Sequence, residues 1–202
     1  MGFKMLENKF FQIEEKGNDS EVLANNASEL FISKYLNKHY LKIKSLSEDM
    51  LRLPTEEEIF FLQTDKSFNA FTFIPLIAKQ QGIKELYAST YSINIRVIES
   101  LIELYDAGIV EQITLMISDS LIKRNPTTYD LLSALIKSRA NIKVIYTWNH
   151  SKVSLIKTEH SNYVIEGSGN WSENALYEQY VFTNSKDVLE FRKEMFTNAK
   201  LK

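Results

Sequence analysis

The sequence predicts an α/β fold in which a mixed, mostly parallel sheet is flanked by helices. From residue 58 to residue 148, short apolar runs alternate with stretches whose apolar residues recur at helical spacing, which is the pattern of βαβ crossovers. The chain has 202 residues, of which 44% are hydrophobic and 25% charged, as in a globular protein with a substantial core. This length fits one domain with a short appendage.

The first 54 residues differ in character from the rest of the chain. A helix is predicted from about residue 21 to residue 40, because apolar residues recur there near helical spacing. These residues are Leu23, Ala27, Leu30, Phe31 and Tyr35. Leu53-Pro54 indicates a break. We therefore expect an N-terminal helical appendage over 1–54, packed on a main domain over 55–202.

Four strands and three helices are predicted to alternate up to residue 148. The strands cover 59–62, 85–90, 112–118 and 142–148, and the helices cover 71–78, 97–105 and 126–136. Gly108 is expected just after the second helix, where a left-handed backbone favours glycine. Asn125 followed by Pro126 predicts the start of the third helix, because asparagine caps free N–H groups and proline has no N–H to satisfy.

The pattern changes after His150. Two short strands are predicted over 153–156 and 163–165, with the polar stretch 157–162 forming a hairpin turn between them. A short helix over 172–176, a strand over 180–182 and a closing helix over 187–196 complete the predicted domain.

Composition excludes several classes of site and partner. The chain has no cysteine, so disulfides, thiolate zinc sites and a cysteine nucleophile are excluded. We expect a cytoplasmic protein without a signal peptide, and one that does not engage membranes, because its apolar runs are far shorter than the roughly 20 residues that span a bilayer. A net charge of −2 argues against a protein that coats DNA through a global basic field. Any site for a polyanion must therefore be locally positive.

Two short patterns carry the candidate chemistry: His150-Ser151-Lys152 and Gly167-Ser168-Gly169-Asn170. In extended backbone, residues two positions apart point to the same face. A hairpin centred near residue 160 would place His150 opposite Asn170 and Lys152 opposite Ser168, with Cβ atoms about 5 Å apart. The four side chains are therefore expected to line one pocket.

This set of groups suits a phosphodiester. Lys152 offers a positive charge to a non-bridging oxygen, and Ser168 and Asn170 offer neutral donors that stabilise charge in the transition state. His150 can attack phosphorus and form a covalent intermediate, or protonate the leaving oxygen. Gly167 and Gly169 allow the backbone to approach a phosphate closely.

The pair of patterns, His-x-Lys followed by Gly-Ser-x-Asn, resembles the signature of the phospholipase D superfamily, and residues 58–196 resemble one half of that fold. The longer stretch from His150 to Phe182 resembles single-motif members from bacterial and phage genomes, which suggests a phage or mobile-element origin. The resemblance implies that His150 is the nucleophile and that Lys152, Ser168 and Asn170 bind phosphate. It also implies that the carboxylate of Glu178 orients the histidine.

The sequence departs from the family pattern at one position. The resemblance implies an acidic residue five positions after the lysine, where this chain has Lys157. The family uses two histidines, whereas neither His39 nor His160 lies in a His-x-Lys pattern, and His160 is expected in an exposed turn. A symmetric homodimer that joins two copies of His150 is therefore expected. No metal or other cofactor is implied.

Three functions remain open on the sequence alone. The first is a metal-independent phosphodiesterase that acts on nucleic acid, and the second is a degenerate module that binds a phosphate backbone, which Lys157 favours. The third, a phospholipid hydrolase, ranks lowest because no amphipathic surface helix is evident. Trp171, like Trp148, flanks the pocket in sequence and is either a core residue or a platform on which a base stacks. Four cations are candidates for a basic rim or for solvated helix ends: Lys123, Arg124, Lys137 and Arg139.

Overall fold

An eight-stranded mixed sheet organises the part of the chain that the computed structural model describes, residues 37–172 and 174–199. The strands are β1 (Asn37–Ile43), β2 (Glu58–Thr64), β3 (Ile83–Thr90), β4 (Val110–Ser118), β5 (Ile142–Thr147), β6 (Val153–Lys157), β7 (Asn162–Gly167) and β8 (Gln179–Asn184). Their order across the sheet is β1-β2-β8-β7-β6-β3-β4-β5.

Six α-helices flank this sheet in the described residues. They are α1 (Leu46–Asp49), α2 (Phe73–Ala78, after a 3₁₀ turn over Ala70–Thr72), α3 (Ile95–Asp106), α4 (Ser120–Arg124), α5 (Pro126–Ile136) and α6 (Lys186–Thr197). The predicted α/β class with a mixed sheet is confirmed, but antiparallel pairings outnumber parallel ones, so the sheet is not mostly parallel. Pairing is parallel for β1–β2, β3–β4 and β4–β5, and antiparallel for β2–β8, β3–β6, β6–β7 and β7–β8.

In β4, β6 and β7 most residues are buried on both faces of the sheet, and successive residues alternate between two cores. In β4, Leu115 and Ile117 belong to the larger core, whereas Met116 belongs to a smaller core that includes Leu189 and Phe196 of α6. Because both faces are apolar, the strands read as nearly continuous hydrophobic runs. These apolar runs are the signal that predicted the strands from the sequence.

Local signals at the helix ends are confirmed. As predicted, the side chain of Asn125 accepts a hydrogen bond from the backbone N–H of Thr128 at 3.3 Å; Asn94, which was not predicted as a cap, accepts one from Val97 at 3.0 Å. Pro126 occupies the first turn of α5. Gly108 follows α3 with φ of +70°, which suits glycine because it has no Cβ to clash.

The predicted helix over 21–40 is wrong at its C-terminal end. Residues 37–43 form β1, which runs parallel to β2, and residues 21–36 lie outside the described residues. Main-chain pairing with β2 overrides the helical spacing that ends at Tyr35. Within 37–54, Leu46 and Met50 are buried in the larger core. A separate appendage over 1–54 therefore stays a prediction for the part of it that precedes β1.

Three local features after residue 147 also differ from the sequence prediction. The fourth predicted strand ends at Thr147 rather than at Trp148. The hairpin pairs Val153 with Glu166, so its register is shifted by one residue from the predicted one. The described residues of 172–176 form no helix, because Asn174 holds this segment by side-chain hydrogen bonds to backbone groups. Across the residues that the structure describes, no helix is both long and apolar enough to span a membrane.

Candidate active site

The residues predicted for the site lie at one edge of the sheet. His150 and Lys152 lie in the connection between β5 and β6. Ser168 and Asn170 follow β7, and Glu178 precedes β8. Because β6, β7 and β8 are antiparallel neighbours, the end of β7 meets the starts of β6 and β8 at this edge. The topology therefore brings the two sequence patterns together.

Lys152 contacts His150 directly. Its Nζ is 3.4 Å from Nδ1 of the imidazole and donates to the backbone oxygen of His150 at 3.0 Å. Burial lowers the pKa of Lys152 below its ordinary value, and the charge of Glu178 opposes that shift. The lysine is half-buried whereas the histidine is exposed. An incompletely solvated ammonium beside an accessible imidazole is suited to receive an anion.

The predicted opposition of Lys152 and Ser168 is wrong by one residue. The backbone N–H of Gly167 donates to the carbonyl of Lys152 at 3.2 Å, so these two residues face each other. Ser168 instead reaches toward the start of β8, where its hydroxyl donates to Glu178. The backbone N–H of Gln179 in turn donates to the Ser168 hydroxyl at 3.1 Å.

Glu178 does not contact His150 within the described chain. Its carboxylate accepts from the Ser168 hydroxyl and from the backbone N–H of Ala175 at 3.2 Å. Its own backbone N–H donates to the hydroxyl of Thr64 at 2.8 Å, at the end of β2. The predicted role of Glu178 in orienting the histidine is therefore not seen in a single chain, where Glu178 orders Ser168 instead.

Asn170 is held by the loop that replaces the predicted short helix. Its backbone N–H donates to Oδ1 of Asn174 at 2.7 Å, and Nδ2 of Asn174 donates to the Asn170 carbonyl at 2.9 Å. The side-chain oxygen of Asn170 is buried and has no partner among the described residues. An unpaired buried acceptor is costly in a protein interior.

The two glycines of the motif are required by close packing. A Cβ on Gly167 would collide with the backbone oxygen of Gln179 and with the ring of Tyr180. A Cβ on Gly169 would collide with the hydroxyl of Tyr180 and lie 2.9 Å from Nδ2 of Asn174. Burial raises the pKa of Tyr180 well above its ordinary value, so this phenol stays neutral under the loop.

Asn149 positions the segment that carries His150, and the sequence analysis missed it. It is 7% exposed, and its Nδ2 donates to the hydroxyl of Ser89 at 2.8 Å. Its Oδ1 accepts from both the backbone N–H and the hydroxyl of Ser151, at 2.9 and 2.6 Å. A polar residue close after an apolar strand was the signal available in the sequence, whereas its contact with Ser89 on β3 is set by the tertiary structure.

Tyr91 is a second residue that the sequence analysis missed. Its ring packs against the imidazole of His150, with centroids 4.9 Å apart, and the guanidinium carbon of Arg124 lies 4.2 Å from the tyrosine centroid. Of the four candidate rim cations, Arg124 therefore borders the site. Arg139 lies beyond the other end of α5, where it forms an ion pair with Asp106 at 2.5 Å.

The two tryptophans have opposite environments. Trp171 is 2% exposed and packs edge-on against Phe71 at 5.2 Å between centroids, so it is a core residue and is not accessible for base stacking. Its burial follows from a bridge between Trp171 and Ile93, which draws the segment after Asn170 into the core. Trp148 is 84% exposed, close in sequence to His150. The tertiary structure therefore excludes one candidate platform and leaves the other.

Lys157, at the position where the family pattern has an acid, belongs to an ionic cluster at the far end of β6. Its Nζ is 3.0 Å from Glu85 on β3, and Lys193 of α6 is 2.8 Å from the same carboxylate. Burial opposes ionisation of Glu85, but hydrogen bonds from Lys193, Lys157 and Tyr87 outweigh it and lower its pKa to about 2. Lys157 thus has a structural partner.

Solved structures that resemble this chain include the following two. A polyphosphate kinase from Porphyromonas gingivalis aligns with a TM-score of 0.52 and 12% identity, over 71% of this chain and 27% of the kinase chain. The archaeal chromatin protein TrmBL2, whose structure shows a novel mode of DNA binding, aligns with a TM-score of 0.49 and 12% identity, over 74% of this chain and 53% of its own.

The similarity to the polyphosphate kinase concerns the fold alone, because the identity is 12%. It supports the predicted α/β fold with a mixed sheet flanked by helices. This chain spans about a quarter of the kinase's length. No protein-family model and no curated protein sequence matches the chain.

Proposed function

We propose that this chain is a phosphodiesterase that cleaves nucleic acid through a covalent phosphohistidine at His150. The proximity of His150 and Lys152 carries this proposal, because it combines an accessible nucleophile with a half-buried cation at 3.4 Å. Ser168 and Asn170 lie at the same edge of the sheet and supply neutral donors. The fold is shared with a protein named as a kinase for polyphosphate, so a phosphoryl-transfer reaction fits this scaffold.

In the first step, His150 attacks phosphorus. With Lys152 donating to Nδ1, the neutral ring carries its proton on Nε2, which is the wrong tautomer for attack from that atom. A phosphate oxygen that binds the ammonium withdraws it from Nδ1. The ring proton then moves from Nε2 to Nδ1 by exchange with solvent, and the lone pair of Nε2 forms an N–P bond as the P–O bond to the leaving oxygen breaks. The leaving oxygen takes its proton from His150 of a second copy, which enters the step as the imidazolium and leaves it neutral.

In the second step, water restores the enzyme. The histidine of the second copy, now neutral, accepts a proton from water, and the resulting hydroxide forms a new P–O bond as the N–P bond breaks. Lys152 and the amide of Asn170 stabilise the extra negative charge on the phosphate oxygens in both transition states. The scheme uses each chain's single motif once per turnover, which is why a symmetric dimer is part of the proposal.

The surface around His150 supports a dimer. Two large side chains in the segment before Glu178 are well exposed: Tyr177 at 67% and Leu176 at 48%. Aromatic residues are enriched at protein interfaces, and fully exposed ones are costly to leave in water. An interface that covers these residues would also bring two exposed His150 rings together.

Nucleic acid as the substrate is supported by groups beside the histidine. Trp148 is an exposed indole of the kind on which bases stack in single-strand binding proteins. Arg124 places a guanidinium over the ring of Tyr91, and that ring packs against His150 at an angle of 52°. Together these groups match the planar bases and charged backbone of a polynucleotide better than a lipid head group.

The alternative is a module that binds a phosphate backbone without cleaving it. The hydrogen bond from Ser168 to Glu178 favours this alternative, because it engages the carboxylate that the resemblance assigns to the histidine. A binding module would still need the cation of Lys152, but its binding would not depend on which nitrogen of the His150 ring carries the proton.

The test is hydrolysis of bis-p-nitrophenyl phosphate and of single-stranded DNA and RNA in EDTA. We compare the wild type with His150→Ala, and with His160→Ala as a matched control. His160 is an exposed histidine in the hairpin turn at the far end of β6. Light scattering on the same samples gives the oligomeric state.

EDTA-resistant cleavage that is lost in His150→Ala and kept in His160→Ala supports the enzyme. An acid-labile phosphoryl adduct trapped on His150 would support the covalent step. A folded wild type that binds oligonucleotides through Lys152 but cleaves nothing would establish the binding module instead. A monomer with full activity would contradict the shared site.

A further inference from the structure

The imidazole of His150 lies in a loop and is exposed to solvent. Its segment connects β5 and β6 outside regular secondary structure, and Lys152 contacts Nδ1 of the ring at 3.4 Å. A reacting group must be held close to its productive geometry, because a misplacement of about 1 Å costs about 100-fold in rate. A nucleophile in this position therefore needs further support from the fold.

The ring of Tyr91 contacts this imidazole. Tyr91 is the first residue after β3, and its ring centroid lies 4.9 Å from the centroid of the His150 ring, at an interplanar angle of 52°. Aromatic pairs at about 4.5 to 7 Å are favourable when they are tilted, because the positive edge of one ring meets the negative face of the other. Tyr91 is itself half-buried, so the imidazole packs against a ring whose own freedom is restricted.

Arg124 holds Tyr91 at two points. Its guanidinium carbon lies 4.2 Å from the centroid of the tyrosine ring, which is within the range of a cation–π contact. Its Nη2 also donates to the backbone oxygen of Tyr91 at 3.2 Å. Because one rigid, planar group makes both contacts, the ring and the main chain of Tyr91 are restrained together.

Arg124 is anchored in turn to the end of β4. Its Nε donates to the hydroxyl of Ser120 at 3.1 Å, and that hydroxyl lies 2.8 Å from the hydroxyl of Ser118, the buried last residue of β4. No carboxylate forms an ion pair with Arg124 in the part of the chain that the structure describes. Neutral groups and Tyr91 therefore orient the guanidinium, and a continuous series of contacts runs from the sheet to His150.

Tyr91 also lies near the second reactive group of the site. Burial lowers the pKa of Lys152, and the neighbouring Glu178 and Tyr91 oppose this shift, so the tyrosine is within electrostatic reach of the ammonium. Its hydroxyl forms no hydrogen bond with the described residues. The ring and the hydroxyl can therefore be tested separately, because phenylalanine keeps the ring and removes only the hydroxyl.

We propose that Tyr91 is a positioning residue that keeps the imidazole of His150 oriented for attack on phosphorus, and that Arg124 acts through Tyr91. The inference rests on the proposed function and extends it to two residues outside both sequence patterns that predicted the site. Neither residue needs to touch the substrate, because both restrict the histidine ring before the phosphate binds.

The first test is the hydrolysis of bis-p-nitrophenyl phosphate in EDTA, with kcat and KM determined separately. The variants are Tyr91→Phe, Tyr91→Leu, Arg124→Gln and the double variant Tyr91→Leu/Arg124→Gln. Lys123→Gln is the matched control, because it removes the neighbouring exposed cation of α4. Thermal melting checks that each variant is folded.

We expect Tyr91→Leu to lower kcat about 30-fold and to change KM less than about twofold, because the imidazole loses its orientation while the phosphate-binding groups stay in place. Tyr91→Phe keeps the ring and should stay within about twofold of the wild type, as should Lys123→Gln. Arg124→Gln should lower kcat about threefold and have no further effect in the Tyr91→Leu background, since residues that act as one unit are not additive.

A second test examines the resting protein and needs no hydrolysis. The chain has three histidines, so protein labelled with ¹³C-histidine gives few ring signals, and His150→Ala identifies the signal of the site. Carbon relaxation of that ring gives its order parameter. We expect an ordered ring in the wild type and in Tyr91→Phe, and a mobile ring in Tyr91→Leu, whereas the ring of His160 should not change.

Equal losses of kcat in Tyr91→Phe and Tyr91→Leu would overturn the inference, because the hydroxyl rather than the ring would then act. An effect of Arg124→Gln that adds fully to that of Tyr91→Leu, or that weakens oligonucleotide binding at unchanged kcat, would refute the action of Arg124 through Tyr91. Hydrolysis by the wild type, with a His150 ring that Tyr91→Leu leaves ordered, would remove the positioning role alone. An ordered ring that Tyr91→Leu releases, in a protein that hydrolyses nothing, would remove the proposed function alone.

Discussion

Restoring an acid at position 157 should damage the protein rather than improve it. The family pattern suggests Lys157→Asp as a repair, but Lys157 lies 3.0 Å from Glu85 and contributes to its ionisation. An aspartate there would remove one cation from the cluster and face Glu85 with a like charge. The stability of Lys157→Asp therefore tests whether position 157 favours an acid, as in the family pattern, or a cation that pairs with Glu85.

The magnitude follows from the Glu85 carboxyl, whose side chain is 20% exposed. Its pKa is lowered from 4.5 to about 2, and one pH unit corresponds to about 1.4 kcal/mol, so its partners together stabilise the fold by about 3 kcal/mol. Lys157 is one of three donors and is 41% exposed, so solvent screening reduces its part to about 1 kcal/mol. Repulsion from the new carboxylate adds a further ~1 kcal/mol.

We expect Lys157→Asp to lower the free energy of unfolding by about 2 kcal/mol, and Lys157→Gln by about 1 kcal/mol. Urea unfolding at pH 7 measures both, and the midpoint should fall by about 1 M for an m-value near 2 kcal/mol/M. Lys143→Asp is the matched control, because Lys143 is an exposed strand lysine for which the described residues offer no ion pair.

A double-mutant cycle with Glu85→Gln isolates the interaction. In that background, Lys157→Asp should cost well under 1 kcal/mol, since the facing charge is gone. If Lys157→Asp matched Lys143→Asp in stability, or raised phosphodiesterase activity, the structural interpretation of Lys157 would be refuted.

Three further predictions concern pH, packing and the site. Glu85 stays ionised in the folded protein down to about pH 2, whereas in the unfolded chain it protonates near pH 4.5. About 3 kcal/mol of folding stability is therefore present above pH 5 and should be lost as the pH falls toward 2. The urea midpoints of the wild type and Glu85→Gln should converge in acid. Gly169→Ala should cost at least about 2 kcal/mol because its Cβ meets Tyr180, whereas Gly82→Ala, with open space around it, should be nearly neutral in the same assay. Asn149→Leu should lose about 2 to 4 kcal/mol and most turnover of bis-p-nitrophenyl phosphate, because the segment that carries the histidine loses its anchors; wild-type turnover in this variant would contradict the anchoring role.

Most secondary structure of the main domain was predictable because its signals are local. Asn125-Pro126 caps α5, Gly108 ends α3, and alternating strands and helices predict the crossovers. The helix predicted through residue 40 failed because pairing with β2 is a long-range interaction that helical spacing cannot report. The helix predicted over 172–176 is also wrong because of an interaction distant in sequence, since Asn174 binds the backbone of Phe68 as well as that of Asn170.

The candidate site was predictable as a set of residues, but its contacts were not. His150 and Lys152 lie two positions apart, so their proximity needed only an extended backbone. The pairing of Ser168 with Glu178 depends on how β7 meets β8, and the hairpin register differs by one residue from the predicted one. A shift of one residue in a strand moves each side chain to a new neighbour.

The α/β class, the order of most elements and the polar residues near His150 follow from the amino-acid sequence alone, because helix caps, periodicity and short-range spacing are properties of neighbouring residues. Long-range packing sets the burial of Trp171 and the exposure of Trp148, the support of His150 by Asn149 and Tyr91, and the pairing of Lys157 with Glu85. Each of these depends on strands far apart in the chain lying side by side. Burial and partner choice are therefore set by the packed sheet rather than by any local stretch of sequence.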